Sequence, residues 1–82
     1  MKITTAQHLS SVLKESRTAN KLSQSEVAKR VGMRQDTVSN FEKYPESTRL
    51  ETLFKLLSAL DLELEVHPRD RKSQADDWQE EW

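Results

Sequence analysis

The 82-residue chain contains no cysteine and only one glycine. Without cysteine it has no disulfide framework and no thiolate metal site, which fits a reducing compartment. A single glycine leaves no glycine-rich loop for binding phosphates. No apolar run approaches the ~20 residues of a membrane-spanning helix, and the N-terminus lacks a signal-peptide pattern. These absences predict one small cytoplasmic domain without a membrane segment, a metal or a cofactor.

Residues that could support catalysis are few and scattered. His8 and His67 lie far apart, without the spacing of metal ligands. The serines at predicted helix starts are better explained as caps and phosphate donors than as nucleophiles. The acidic pairs near the C-terminus are typical of a solvated tail. The sequence therefore predicts a protein that is not an enzyme.

Charge is unevenly distributed along a chain whose net charge is −1. Residues 1–44 carry eight Lys and Arg against four Asp and Glu. Residues 45–66 carry two against five, and residues 67–82 carry three against five. This polarity predicts that the first half presents a face to nucleic acid and that the remainder meets a different partner.

Apolar periodicity and capping boxes predict four helices. Each capping box pairs a Ser or Thr with a Gln or Glu three residues later: Thr4–Gln7, Ser23–Glu26 and Thr48–Glu51. The first helix covers about Ala6 to Ala19, the second follows Ser23, and the third runs from about Gln35 to Lys43 before Pro45 ends it. The fourth reaches about Leu60.

The second and third helices flank the only glycine. Gly32 can adopt a positive φ at a tight turn. Ala28 is small enough for the two helices to cross closely, and Val38 points back between them. This spacing predicts a helix-turn-helix, with a simple helical hairpin as the alternative.

The block resembles the lambda-repressor-like helix-turn-helix family over about residues 6–60. In that family, the glutamine that opens the first motif helix contacts a phosphate and the one that opens the second reads an adenine. The resemblance implies these roles for Gln24 and Gln35, eleven positions apart. It also implies an all-helical DNA-binding domain of four to five helices.

Further candidate DNA contacts surround the two glutamines. A long amide at the start of a recognition helix can pair with adenine N6 and N7, so Gln35 leads the predicted base readers, which are Arg34, Gln35, Asp36, Thr37 and Asn40. Asp36 departs from the family pattern, since a small residue would be more comfortable at this position beside DNA. Its carboxylate repels phosphates but could accept a hydrogen bond from cytosine N4. The predicted phosphate contacts lie at helix starts or on the basic side of the motif: Gln24, Ser25, Lys29, Ser39 and Lys43.

The fourth helix and the segment after it predict a homodimer. The helix has more apolar residues than one core-facing stripe needs, so it either lies deeper in its own core or packs on a second subunit, and we favour the latter. Apolar and acidic residues then alternate over residues 62–66, which is typical of a strand. A lone strand needs a partner, which the same strand of a second copy supplies. The predicted dimer contacts are Leu56, Leu60, Leu62, Leu64 and Val66.

Residues 1–67 are therefore expected to form the DNA-binding and dimerisation domain, and residues 68–82 a flexible tail. Both tryptophans, Trp78 and Trp82, lie in this tail. Tryptophan is enriched at binding hot spots, so both are predicted to dock into a partner protein.

With strand and tail included, the chain resembles the HipB-type antitoxins. The matching residues are Gln24-Ser25-Glu26, Arg34-Gln35, Thr37, Ser39-Asn40-Phe41-Glu42, the leucine-rich fourth helix, Leu62 to Val66 and the terminal Glu81-Trp82. The resemblance implies a dimer with an intersubunit β-lid that represses its own operon and binds a HipA-type serine/threonine kinase toxin. It also implies that Trp82 contacts the toxin or the lid.

Two other functions remain open from the residues. A stand-alone repressor without a protein partner would leave the tail tryptophans without a role. A purely inhibitory protein-binding module would leave the cations Lys29, Arg30 and Arg34 beside the motif unexplained.

Overall fold

A computed structural model describes residues 1–69. Within them, helix α1 spans Ala6–Ala19, α2 spans Gln24–Arg30, α3 spans Gln35–Lys43 and α4 spans Leu50–Ala59. A short 3-10 helix, Pro45–Ser47, joins α3 to α4. The predicted bounds of α1 and α3 and the predicted start of α2 are confirmed. No helix in this part of the chain is long and apolar enough to cross a bilayer.

The predicted capping box at the start of α2 is confirmed. The Ser23 hydroxyl accepts from the Glu26 backbone N–H at 3.0 Å, and the Glu26 carboxylate accepts from the Ser23 N–H at 2.7 Å. These hydrogen bonds from Ser23 lower the pKa of Glu26. Two exposed backbone donors are thereby satisfied, which fixes where the motif begins.

The other two predicted capping boxes are wrong. At α1 the cap is Thr5 rather than Thr4, and its hydroxyl accepts from the backbone N–H of His8 at 3.0 Å. At α4 the cap residue is Arg49, and no side chain caps the helix. Thr48 instead closes the 3-10 helix, because its N–H donates to the Pro45 carbonyl at 3.2 Å.

Three of the four α-helices in residues 1–69 end in the same way, with a left-handed residue two positions after the last helical one. The left-handed residues are Lys21 (φ 58°), Gly32 (φ 66°) and Asp61 (φ 60°). In each case the next residue donates its N–H back into the last turn of the helix, at 2.8–3.0 Å, and packs on the core: Leu22, Met33 and Leu62. The positive φ predicted for Gly32 is confirmed.

The core lies between α1, the helix-turn-helix and α4. Ala28 and Val38 are buried at the crossing of α2 and α3, as predicted. The structure corrects the assignment of Leu56 and Leu60 to a subunit interface: they are only 2% and 8% exposed within one chain and belong to its core. The apolar side chains that α4 leaves uncovered are Leu50, 71% exposed, and Phe54, 53% exposed.

Residues 63–69 follow α4 without regular secondary structure in the single described chain. Leu62 packs against the core, whereas Leu64 and Val66 are exposed. Pairing of this segment with a second copy stays a prediction. Trp78, Trp82 and the proposed tail after residue 69 lie outside the described residues.

Candidate nucleic-acid interface

Helix α3 presents the predicted base-reading residues on one surface. Val38 and Phe41 anchor its inner face in the core. The predicted base readers lie outside this inner face: Arg34, Gln35, Asp36 and Asn40 are exposed, and Thr37 is half-buried. Such a polar helix surface, held rigidly by its apolar side, can enter a major groove.

The predicted phosphate contacts surround this helix with unequal exposure. Ser25, Lys29 and Lys43 are exposed, whereas Gln24 and Ser39 are half-buried. The neighbouring cation Arg30 is engaged elsewhere, because its guanidinium donates to the Ala59 carbonyl at the end of α4 at 2.9 Å.

Arg34 and Asp36 form an ion pair at 3.8 Å at the start of α3. Their side chains are 84% and 76% exposed, so the pair contributes at most about 1 kcal/mol. Asp36 thus lies within reach of the Arg34 cation, and both residues are predicted base readers.

The two glutamines that open α2 and α3 contact each other directly. The Gln35 side chain donates from Nε2 to Oε1 of Gln24 at 2.9 Å. Both are predicted to touch DNA, so this hydrogen bond connects the predicted base reader to a predicted phosphate contact.

A buried ion pair continues the chain of hydrogen bonds into the protein. Gln24 donates from Nε2 to Glu42 Oε1 at 2.9 Å. Arg17 of α1 donates from Nε to Glu42 Oε2 at 2.8 Å and from Nη2 to Oε1 at 3.1 Å. The Arg17 and Glu42 side chains are only 12% and 8% exposed. We call this series Arg17, Glu42, Gln24 and Gln35 the glutamine relay.

An open groove of about 530 Å³ lies between α3 and the start of α4. Hydroxyl, amide and guanidinium groups line it alongside apolar surface; the lining residues are Thr37, Asn40, Phe41, Tyr44, Ser47, Thr48, Arg49 and Thr52. Donors of this kind suit phosphate oxygens. Arg49 is an exposed cation of this groove that was not among the predicted DNA contacts.

A helix-turn-helix family model (HTH_3) matches residues 13–67. The antitoxin HipB of Escherichia coli K12 is 43% identical over 63 residues, which are 77% of this chain and 72% of HipB. The chain belongs to the HipB-type helix-turn-helix antitoxins. This family consists of DNA-binding antitoxins of the Cro/C1 type and not of enzymes.

Solved structures extend the similarity to three dimensions. A chain in the structure of the HipA-HipB-O2-O3 complex matches with a TM-score of 0.81 at 40% identity, over 83% of this chain and 96% of that chain. A chain in the HipB-O4 20mer complex matches equally well, with a TM-score of 0.81, 40% identity and the same coverage. The match therefore extends over nearly the whole of each of those chains.

The two charged residues of the relay in this HipB-type antitoxin were not among the predicted site residues. Arg17 lies four residues after the buried Leu13 and therefore on the same, core-facing side of α1. A charged residue on that side of a helix indicates a buried partner. Glu42 closes the motif of α3. Nothing in the sequence pairs them, because they are 25 positions apart.

Glu42 remains ionised in this setting. Burial raises its pKa, but the hydrogen bonds from Arg17 and Gln24 and the charge of Arg17 outweigh burial. The pKa of Glu42 therefore lies below its ordinary value of 4.5.

Proposed function

We propose that this HipB-type antitoxin binds operator DNA as a homodimer, represses its own operon in the bacterial cytoplasm and binds a HipA-type serine/threonine kinase toxin. The observation that carries the proposal is the match to a chain of the HipA-HipB-O2-O3 complex, with a TM-score of 0.81 at 40% identity. Similarity at this level over 96% of that chain supports a shared mode of action.

DNA recognition is assigned to the exposed face of α3. Gln35 is the main base reader, with Arg34, Asp36, Thr37 and Asn40 around it. Gln24, Ser25, Lys29, Ser39 and Lys43 hold the backbone on either side. Arg49 is added to these backbone contacts, since it is exposed and lines the groove between α3 and the start of α4.

The dimer is assigned to the uncovered face of α4 and to residues 62–66. Leu50 and Phe54 expose more apolar surface than any other residues of α4. A second copy is the occupant that buries them symmetrically, and the exposed Leu64 and Val66 would pair across the same axis as a two-stranded lid. A two-fold dimer places its recognition helices about 34 Å apart, in successive major grooves.

The first test uses the DNA that precedes the gene. We expect the full chain to bind this duplex more tightly than a random duplex in fluorescence anisotropy. Gln35→Ala should lose about 1–3 kcal/mol on the upstream duplex and much less on the random one. The matched control Gln7→Ala removes an exposed amide of α1 that hydrogen-bonds Glu46 and is not a predicted DNA contact, so it should bind both duplexes like the wild type. Equal losses on both duplexes would assign Gln35 to backbone positioning instead.

The second test concerns the toxin. The tail tryptophans Trp78 and Trp82 are proposed as anchors, because a large aromatic ring buries much area in a partner pocket. Deletion of residues 73–82 should leave operator affinity unchanged and weaken binding of a HipA-type kinase encoded by the neighbouring gene. Binding as tight as that of the full chain would move the toxin contact to the folded domain. Operator binding with no affinity for the kinase would instead support a stand-alone repressor.

A further inference from the structure

The glutamine relay has a direction. Glu42 is an ionised carboxylate, so its oxygens only accept hydrogen bonds. Gln24 must therefore turn its NH₂ group toward Glu42, at 2.9 Å, and its carbonyl oxygen toward Gln35. Gln35 can only donate to that oxygen, which it does at 2.9 Å. A side-chain amide would otherwise be able to present either end.

Arg17 holds the carboxylate in this position. It donates to both oxygens of Glu42, at 2.8 and 3.1 Å. Its remaining Nη1 donates to the Leu22 carbonyl just after α1, at 2.9 Å. A guanidinium that meets a carboxylate through two hydrogen bonds permits essentially one mutual orientation. The direction of the relay thus originates in a rigid pair at the base of the motif.

This direction determines what Gln35 can offer to a base. One N–H of its Nε2 is engaged by Gln24, which leaves one N–H and the carbonyl oxygen. In the major groove, adenine presents one acceptor, N7, and one donor, N6, whereas guanine presents two acceptors, N7 and O6. One donor and one acceptor match adenine. Guanine would need both N–H groups of Gln35, and Gln24 would lose its partner.

We propose that Arg17 and Glu42 are positioning residues that make Gln35 prefer adenine to guanine. The proposal rests on the DNA binding proposed above, and neither residue touches DNA. The same orientation of the Gln24 amide leaves its second N–H available to donate to a phosphate oxygen. If that amide were reversed, its carbonyl oxygen would face the phosphate and repel it.

Two variants interrupt the relay at different points. Glu42→Gln keeps the shape of the side chain but can turn either end toward Gln24. Gln24→Leu cuts the relay in the middle and leaves the Arg17–Glu42 pair in place, so it tests the proposal even where Glu42→Gln fails to fold. Glu15→Gln is the control, because it removes the same charge from an exposed position on α1. Circular dichroism melts establish which variants are folded.

The DNA measurement is selection from a randomised duplex library. The position read by Gln35 is the one whose preference disappears in Gln35→Ala. There, wild type and Glu15→Gln should enrich adenine over guanine, and each folded relay variant should lower that ratio about tenfold. The ratio cancels the phosphate contact that Gln24→Leu also loses, because phosphates are the same for both bases. A wild-type ratio in folded Gln24→Leu overturns the proposal.

A second measurement needs no DNA. In ¹⁵N-labelled full-length protein, the Gln35 side-chain amide signals should differ from those of a solvated glutamine, and both relay variants should shift them to solvated values. Solvated values in the wild type would overturn the relay even where DNA binding holds. The NMR signals could shift as expected while the library selection enriches no sequence. That result would overturn the proposed DNA binding, and the base preference with it, but not the relay.

Discussion

Replacing one member of the Arg17–Glu42 pair should destabilise the fold far more than replacing both. In Arg17→Met, Glu42 loses both hydrogen bonds from the guanidinium and keeps that of Gln24, at a site where its side chain is 8% exposed. A hydrogen bond to a charged group contributes about 1.5–3 kcal/mol, and removing one partner of a buried ion pair costs about 3–5 kcal/mol, which is the loss expected here. Because small domains have a total stability of only about 5–15 kcal/mol, this variant should be near the limit of folding.

The double variant Arg17→Met/Glu42→Leu leaves no unpaired buried charge. Its free energy of unfolding should therefore lie well above that of Arg17→Met, with a coupling of about 2 kcal/mol or more between the two sites. Arg34→Met is the matched control, since it breaks the exposed pair with Asp36 and should cost less than about 1 kcal/mol. Urea unfolding at pH 7, followed by circular dichroism, measures the wild type, Arg17→Met, Glu42→Leu, the double variant and Arg34→Met. Additive losses in the double variant would refute the role of the pair.

The pH dependence gives an independent check. The pKa of Glu42 is lowered from 4.5 in the folded wild type, so the stabilisation is fully present above pH 4.5 and is lost as the pH falls through the folded value. In Arg17→Met, burial without its main partner should raise the pKa of Glu42, which then protonates at low cost. The difference in stability between wild type and Arg17→Met should therefore shrink between pH 7 and pH 4. An unchanged difference would contradict the assigned ionisation.

Three further predictions concern other parts of the chain. Asp61→Gly should raise the melting temperature by about 4–8 °C, because a left-handed residue other than glycine costs about 1 kcal/mol, whereas Asp61→Ala should bring no such gain. Phe54→Ser should shift sedimentation toward the 9.6 kDa monomer while the adjacent exposed Lys55→Ser stays dimeric, and a dimeric Phe54→Ser would exclude this face of α4 from the interface. Lys29→Ala should lower the slope of log affinity against log salt by about one unit, with Lys55→Ala as control, and an unchanged slope would remove Lys29 from the backbone contacts.

Local signals in the sequence were sufficient for the helix-turn-helix. Gly32, the Ser23–Glu26 box and Pro45 each act within a few residues, and the bounds of α3 and the turn before it follow from them. Where two adjacent hydroxyls could both cap a helix, the capping-box pattern selected the wrong one, one position too early. Thr4 and Thr5 are adjacent, and only the geometry of the chain entering α1 selects Thr5 as the cap.

The errors in α4 have a geometric cause. A count of apolar residues shows that the helix has more than one stripe but does not show which side chains the rest of the fold covers. Phe54 follows the half-buried Leu53 by one position and so points about 100° away from it. Leu50 lies in the first turn, where it remains exposed, while Leu56 and Leu60 meet the other helices. The sequence correctly predicted that α4 has more apolar residues than its core face needs, but only the packed structure shows which of them stay exposed.

The relay and the Arg34–Asp36 pair give the two longest base readers different degrees of constraint. Gln35 is tied through Gln24 to a buried ion pair, whereas Arg34 is tied only to an exposed carboxylate at 3.8 Å. Moving Gln35 breaks a hydrogen bond to an amide that Glu42 holds in one orientation, whereas releasing Arg34 breaks only an exposed ion pair that contributes at most about 1 kcal/mol. On a mismatched base, a side chain held in one orientation therefore loses more binding free energy than a side chain that can reorient. We therefore expect the enriched sequences to be strict at the base facing Gln35 and more permissive at the base facing Arg34.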